Sequence, residues 1–142
     1  MGADDKQAIA DLVHRYADAV CRRDEDQWVA CWSEDAVWSL GGGREAEGRD
    51  NILELWRTLM SGFSHALQIV HSGAVDVDGD AAAGRWYIQE SLRAVDGSTF
   101  LSVAWYDDGY VRTDGTWQFS RRALQGLYRG PADLSGEFVD LP

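Results

Sequence analysis

Residues 75–118 read VDVDGDAAAGRWYIQESLRAVDGSTFLSVAWYDDGYVRTDGTWQ, and this stretch decides the fold. It holds three Asp-Gly pairs, Asp78-Gly79, Asp96-Gly97 and Asp114-Gly115, each eighteen residues after the last. Asp-Gly marks a tight hairpin because both residues tolerate positive φ. The strands between the turns are therefore long, up to sixteen residues. Strands of that length must twist and curl. The expectation is a strongly bent antiparallel sheet made by the second half of the chain.

Toward the N-terminus the period changes. Ile9, Leu12, Val13, Tyr16 and Val20 recur at helical spacing, so a helix capped by Asp4 or Asp5 should run to about Arg23. Asp24 followed by Gln27 reads as a capping box for a short helix over Glu25–Trp32. Ala36–Leu40 reads as a short strand and Gly41-Gly42-Gly43 as a mobile loop. Asp50 then caps a third helix, Ile52 to about Ser61, which carries Leu53, Leu55, Trp56, Leu59 and Met60. Helices before strands, with no linker or repeat, give an α+β class. The whole chain, 1–142, reads as one domain with a core of about 7–130 and an acidic tail over 131–142.

The chain has 142 residues, a net charge of −11 and a pI near 4.5. That balance argues against nucleic acid and anionic membranes as partners. No apolar run approaches the ~20 residues of a membrane span, and residues 1–10 lack a signal peptide's apolar core. Cys21 and Cys31 match no zinc or redox spacing, so the expectation is a cytoplasmic protein with reduced thiols, no metal and no disulfide. Seven Trp residues suit the walls of a cavity for a planar ligand.

Two-residue turns at the Asp-Gly pairs would fix the register. His71 would then face Trp86, Trp86 would face Asp107, and Asp107 would face Arg122, all on the side under the helices. That face would also carry Leu67, Ile69, Val75, Val77, Ile88, Leu92, Leu101, Val103, Trp105 and Leu124. A three-residue turn would shift the pairing by one residue and break this rung.

The rung selects the residues that could carry chemistry. His71, with Gly73 beside it leaving space, could be a general base near neutral pH; the competing role is a core histidine bonded to a backbone carbonyl. Tyr16 lies at the centre of the helical stripe, so its hydroxyl points inward and needs a partner. Arg122 could bind an anionic or carbonyl group, although a cross-strand pair with Asp107 would account for it. Glu90, on the Trp86–Ile88–Leu92 face, is a buried-carboxylate candidate. Asp24 is explained by capping. There is no glycine-rich phosphate motif, metal-ligand cluster or nucleophile elbow.

Four stretches, AIADLVHRYADAV, WVACWSEDAVW, IVHSG and DGTWQFSRR, occur in an order that resembles the SnoaL-like branch of the nuclear-transport-factor-2-like superfamily. The resemblance runs from about Gln7 to Gly130. It implies a cone-like half-barrel of curved antiparallel sheet closed by N-terminal helices around a pocket. It also implies, for some members, cofactor-free lyase chemistry. Such members use a histidine on the first long strand and a carboxylate late in the first helix, often with a tyrosine one turn earlier and an arginine on the last strand. His71, Tyr16 and Arg122 match three of these positions. Cys21 stands at the carboxylate position, and a thiol is too weak an acceptor to hold a charged imidazole.

The resulting expectation is a cofactor-independent lyase, a dehydratase or related eliminase, acting on a hydrophobic aromatic or alicyclic small molecule. His71, Tyr16 and Arg122 would do the chemistry, and Cys21, Trp28, Trp86, Trp105 and Asp107 would line the pocket. An isomerase or epoxide hydrolase on the same scaffold, or a module that only binds, are the alternatives. The opposite sheet face should carry Tyr87, Phe100, Tyr106, Trp117, Phe119 and Leu127 among arginines. That is the composition of an interface, which implies a homodimer or homotrimer.

Overall fold

The computed structural model describes residues 2–140. Helix α1 (Gly2–Arg22) buries Ile9, Leu12, Val13, Tyr16 and Val20, the stripe expected from the spacing. It ends where Arg23 takes a positive φ of 57° and the Asp24 N–H closes back on the Ala19 carbonyl at 2.9 Å. Asp24 caps α2 (Glu25–Val29) by accepting from the Gln27 N–H. The Gln27 side chain does not complete a capping box; it reaches Arg15 O and Asp18 and ties α2 to α1.

Trp32, expected at the end of the second helix, instead opens strand β1 (Trp32–Gly41). The three glycines form the turn into a strand that the sequence reading lacked, β2 (Arg44–Glu47). Helix α3 (Arg49–Met60) is capped two residues earlier than expected: Gly48, with φ of 86°, is the N-cap, and Asp50 sits in the first turn.

Strands β3 (Phe63–Asp78), β4 (Ala81–Ala94), β5 (Thr99–Thr113) and β6 (Thr116–Gly130) are the expected long antiparallel meander. The six-stranded sheet runs β2-β1-β6-β5-β4-β3, with β1 and β6 parallel. It is curved and not closed into a barrel. The helices pack against one side, α1 chiefly on β3. Among the described residues, no helix is long and apolar enough to cross a membrane.

The register departs from the expected rung at three places. The first turn is Gly79-Asp80, so Asp78 pairs with Ala81 and Gly73, not His71, pairs with Trp86. The second hairpin has a three-residue loop closed by Ala94 N–H to Ser98 O at 2.8 Å. Trp86 therefore pairs with Tyr106, and Arg85 with Asp107. The third turn is Asp114-Gly115 as expected, with Thr113 opposite Thr116, but a bulge between Gly109 and Tyr110 places Arg122 opposite Asp108.

A one-residue slip turns every later side chain to the other face. Hence Phe100, Ser102, Tyr106, Asp108, Tyr110, Trp117 and Phe119 lie inside, while Leu101, Val103, Trp105 and Asp107 lie outside. A second irregularity, between Val70 and Gly73, turns Ala66 and Gln68 inward and Leu67 and Ile69 outward. The outer face is less aromatic than expected: Tyr106, Trp117 and Phe119 are buried, and Phe100 lines the interior cavity. Tyr87 remains outside, near Trp105, over which the Arg85 guanidinium stacks at 4.5 Å. The C-terminal segment returns to β3, where Phe138 packs on His65 and Asp140 Oδ1 lies 2.8 Å from His65 Nε2.

Candidate functional site

The helices do not fill the cone. A cavity of about 160 Å3 remains between α1, α3 and the inner sheet. Its apolar wall includes Val20, Trp38, Trp56, Phe63, Leu92 and Phe100, and Tyr16, Gln68, Glu90, Ser102, Tyr106 and Arg129 bring polar atoms to it. The strand alternation explains this set. Gln68, Glu90, Ser102 and Arg129 form one rung across β3, β4, β5 and β6, since Gln68 pairs with Glu90, Glu90 with Ser102, and Ser102 with Arg129.

Gln68 is 4% exposed, and its Nε2 donates to Glu90 Oε2 at 3.3 Å. Its Oε1 has no hydrogen-bond partner. Its backbone is clasped by Cys21: the Gln68 N–H donates to Sγ at 3.3 Å, and the thiol donates to the Gln68 carbonyl at 3.5 Å. Burial raises the pKa of Glu90 above the ordinary carboxyl value, against the opposing effects of the Gln68 bond, Arg129 and Arg122. Burial likewise raises the Cys21 thiol, so it stays protonated near neutral pH. Tyr16 is raised well above its usual value, first by burial and then by Tyr106. Burial pushes Tyr106 up to about 12. Both phenols are therefore hydrogen-bond donors at neutral pH.

His71, expected to face inward, is exposed, with Nε2 3.3 Å from Gln89 Oε1. The shifted first turn gives its inward place to Gly73, and the irregularity at residues 71 and 72 turns the ring out. Gly73 is needed there: a Cβ would lie 2.3 Å from Trp86 Cδ2 and 2.8 Å from the Arg85 carbonyl. Arg122, expected to meet a ligand, is fully buried behind the cavity. Its Nε and Nη2 donate to Asp108 at 2.8 and 3.1 Å, not to Asp107. The Tyr16, Tyr106 and Phe119 rings flank its guanidinium at 4.4, 3.6 and 4.2 Å. Burial would lower its pKa, but Asp108 and the tyrosines outweigh that and hold it charged.

The expected wall residues divide similarly. Trp28 is fully buried and stacked on Trp56 at 4.7 Å, one layer away from the cavity. Trp86 is buried, but its Nε1 donates to the Tyr110 hydroxyl at 3.0 Å and it does not line the space. Trp105 and Asp107 belong to the outer face, where Asp107 pairs with Arg121 at 3.2 Å. Cys21 supports the wall from behind Gln68. Tyr16 is the expected catalytic residue that reaches the cavity. Gln68, Ser102, Tyr106 and Arg129 were not legible as site residues, because each depends on the slipped register. Among the described residues, no group of three or more His, Cys, Asp or Glu is placed to hold a metal ion.

Residues 2–123 match the SnoaL-like domain. The chain belongs to this family. It is 29% identical over 122 residues to the gamma-hexachlorocyclohexane dehydrochlorinase of Sphingobium indicum, an alignment covering 82% of this chain and 77% of that one. The crystal structure of hexachlorocyclohexane dehydrochlorinase LinA-type3 from Novosphingobium barchaimii superposes with a TM-score of 0.87 at 23% identity, covering 98% and 97% of the two chains. A cystatin-like protein from Nostoc punctiforme superposes at 0.73 with 16% identity, covering 89% and 93%. These two structures share the fold. This SnoaL-like protein therefore has lyases among its relatives, and the position facing Cys21 from β3 holds Gln68 rather than a histidine.

Proposed function

We propose that this SnoaL-like protein is a cofactor-independent lyase that eliminates a small leaving group from a hydrophobic ring compound, with Glu90 in the proton-transfer role. The observation that carries this reading is a carboxyl of raised pKa on the wall of a largely apolar cavity. A carboxylate whose pKa is raised by burial is a stronger base toward a carbon-bound proton than an ordinary one. Glu90 would accept a proton from a carbon next to an electron-withdrawing group. The C–H electron pair becomes the new double bond, and the adjacent carbon releases its leaving group with the bonding pair. Hydroxide leaving with the transferred proton gives water; chloride gives HCl. Tyr106, protonated and hydrogen-bonded to Tyr16, would donate to the developing negative charge, with Tyr16 backing it. The aromatic walls limit water and so strengthen those contacts.

Two substrates test the reading. 3-Hydroxycyclohexanone would report loss of water by the absorbance of the enone, and γ-hexachlorocyclohexane would report loss of chloride. Turnover of either that falls in Glu90→Gln supports the assignment; turnover indifferent to that substitution removes it. A module that only binds is the second reading, favoured by one observation: Cys21 and Gln68 face each other where an acid–base pair would serve. Neither substrate turning over while both bind would select it.

We also infer a homodimer or homotrimer built on the outer face. Ile69, Leu127 and Tyr128 are 54%, 57% and 48% exposed, more apolar surface than the shifted register leaves any other reason for. Light scattering at micromolar concentration tests this; a monomer mass that does not rise with concentration refutes it. A reducing compartment, consistent with the free thiols of Cys21 and Cys31, stays part of the proposal.

A further inference from the structure

We infer that the cavity selects a single-ring compound bearing a hydroxyl group, and that the side-chain carbonyl of Gln68 is the acceptor that recognises it. This rests on the reading of the cavity as the substrate site. Among the buried side-chain atoms of the described residues that lack a partner, Gln68 Oε1 is the acceptor on the cavity wall. The residue is 4% exposed, so its carbonyl is withdrawn from bulk solvent. A buried carbonyl left unpaired is costly, and a ligand that donates to it recovers that cost. The acceptor is also firmly placed. Cys21 holds the Gln68 backbone by two bonds, and Glu90 holds the other half of the amide.

The other buried unpaired group on the wall does not compete for this role. Trp38 also lines the cavity with an unpaired Nε1–H, but it is a donor and would take the oxygen of an alcohol or a ketone alike. Size sets the second limit. A cavity of about 160 Å3 matches one six-membered ring. The three kinds of substituted ring then differ in one respect. An alcohol can donate to Gln68 and still accept from the wall. A ketone can only accept. A chlorinated ring does neither and leaves the carbonyl buried and unpaired. Gln68 is in this sense the residue that separates elimination of water from elimination of a halide.

The test measures dissociation constants of the full chain for cyclohexanol, cyclohexanone and chlorocyclohexane by ligand-observed NMR. Cyclohexanol should bind roughly tenfold or more tightly than cyclohexanone. Gln68→Met should bring the two level and improve chlorocyclohexane relative to the alcohol. Equal binding of alcohol and ketone to the native protein overturns the inference, and that comparison needs no variant to fold. A preference for the alcohol that survives in a folded Gln68→Met protein overturns it too. Turnover keeps the two readings apart. Glu90-dependent turnover with the three rings bound alike defeats this inference and leaves the lyase reading standing. An alcohol preference lost in Gln68→Met, without Glu90-dependent turnover, does the reverse. No binding of any of the three defeats both.

Discussion

Two buried polar clusters lie inside the same cone and are treated oppositely. In the first, Arg122 meets both oxygens of Asp108, Tyr110 donates to Asp108 at 2.7 Å, and Trp86 donates to Tyr110 at 3.0 Å. The one guanidinium nitrogen without an oxygen partner, Nη1, belongs to a group flanked by three aromatic faces. In the second cluster, Glu90 has a single 3.3 Å bond from Gln68, and Gln68 Oε1 has none. The first cluster is packed solid and the second adjoins open space. A buried charge paired at two of its three nitrogens and enclosed by aromatic rings holds its neighbours in place, whereas a buried acid with one bond beside a cavity keeps an open side for proton exchange. Arg122 is thus enclosed by protein groups, whereas Glu90 has one side open to the cavity.

Substitutions should separate the two clusters, beginning with the largest effect. Glu90→Gln should lower turnover by about 10²–10⁴-fold, the usual contribution of a general base, while leaving the urea midpoint unchanged or higher. A variant with a lowered urea midpoint but unchanged specific activity would reverse the comparison. Arg122→Met should do the opposite. Removing one partner of a buried pair strands Asp108 and should cost about 3–5 kcal/mol of stability in urea unfolding. A loss below about 1 kcal/mol would place the pair among weak surface bridges.

Gly73→Ala probes the seam of the closed cluster, because its Cβ would strike Trp86 and the Arg85 carbonyl. Overpacking of this kind should cost about 1–3 kcal/mol. Thermal unfolding indistinguishable from the native protein would show that the strand can yield there.

The smallest expected effect is a slope. Glu90 has a folded pKa raised above its unfolded value. Its contribution favours folding below the unfolded value and is lost as pH climbs through the folded pKa. Stability should therefore fall with rising pH across that window in the native protein, and less so in Glu90→Gln. If Glu90 is the base proposed, turnover should rise over the same window, since the carboxylate would be the active form. Urea melts and rates taken across it check both signs, and identical melts for the two proteins would remove the shift.

The sequence alone determined the layers of this protein. Helical spacing in residues 9–20 and Asp-Gly pairs in residues 78–115 are local signals, and local backbone preference is enough to produce an amphipathic helix and hairpin turns. Tyr16 was legible for that reason: its inward direction depends on one helix. Glu90 was legible as an inward carboxyl because β4 carries no irregularity that turns its alternation. Other site residues needed the tertiary structure. A turn displaced by one residue, a three-residue loop and two strand irregularities together exchanged Gly73 for His71, Asp108 for Asp107 and Tyr106 for Trp105. Side chains in a strand alternate with a period of two, so each slip reverses a face while leaving the strand itself intact. Packing chose among these registers. Trp86 needs the bare backbone of Gly73, and Arg122 needs a buried carboxylate; neither requirement can be read along the chain until the strands are side by side.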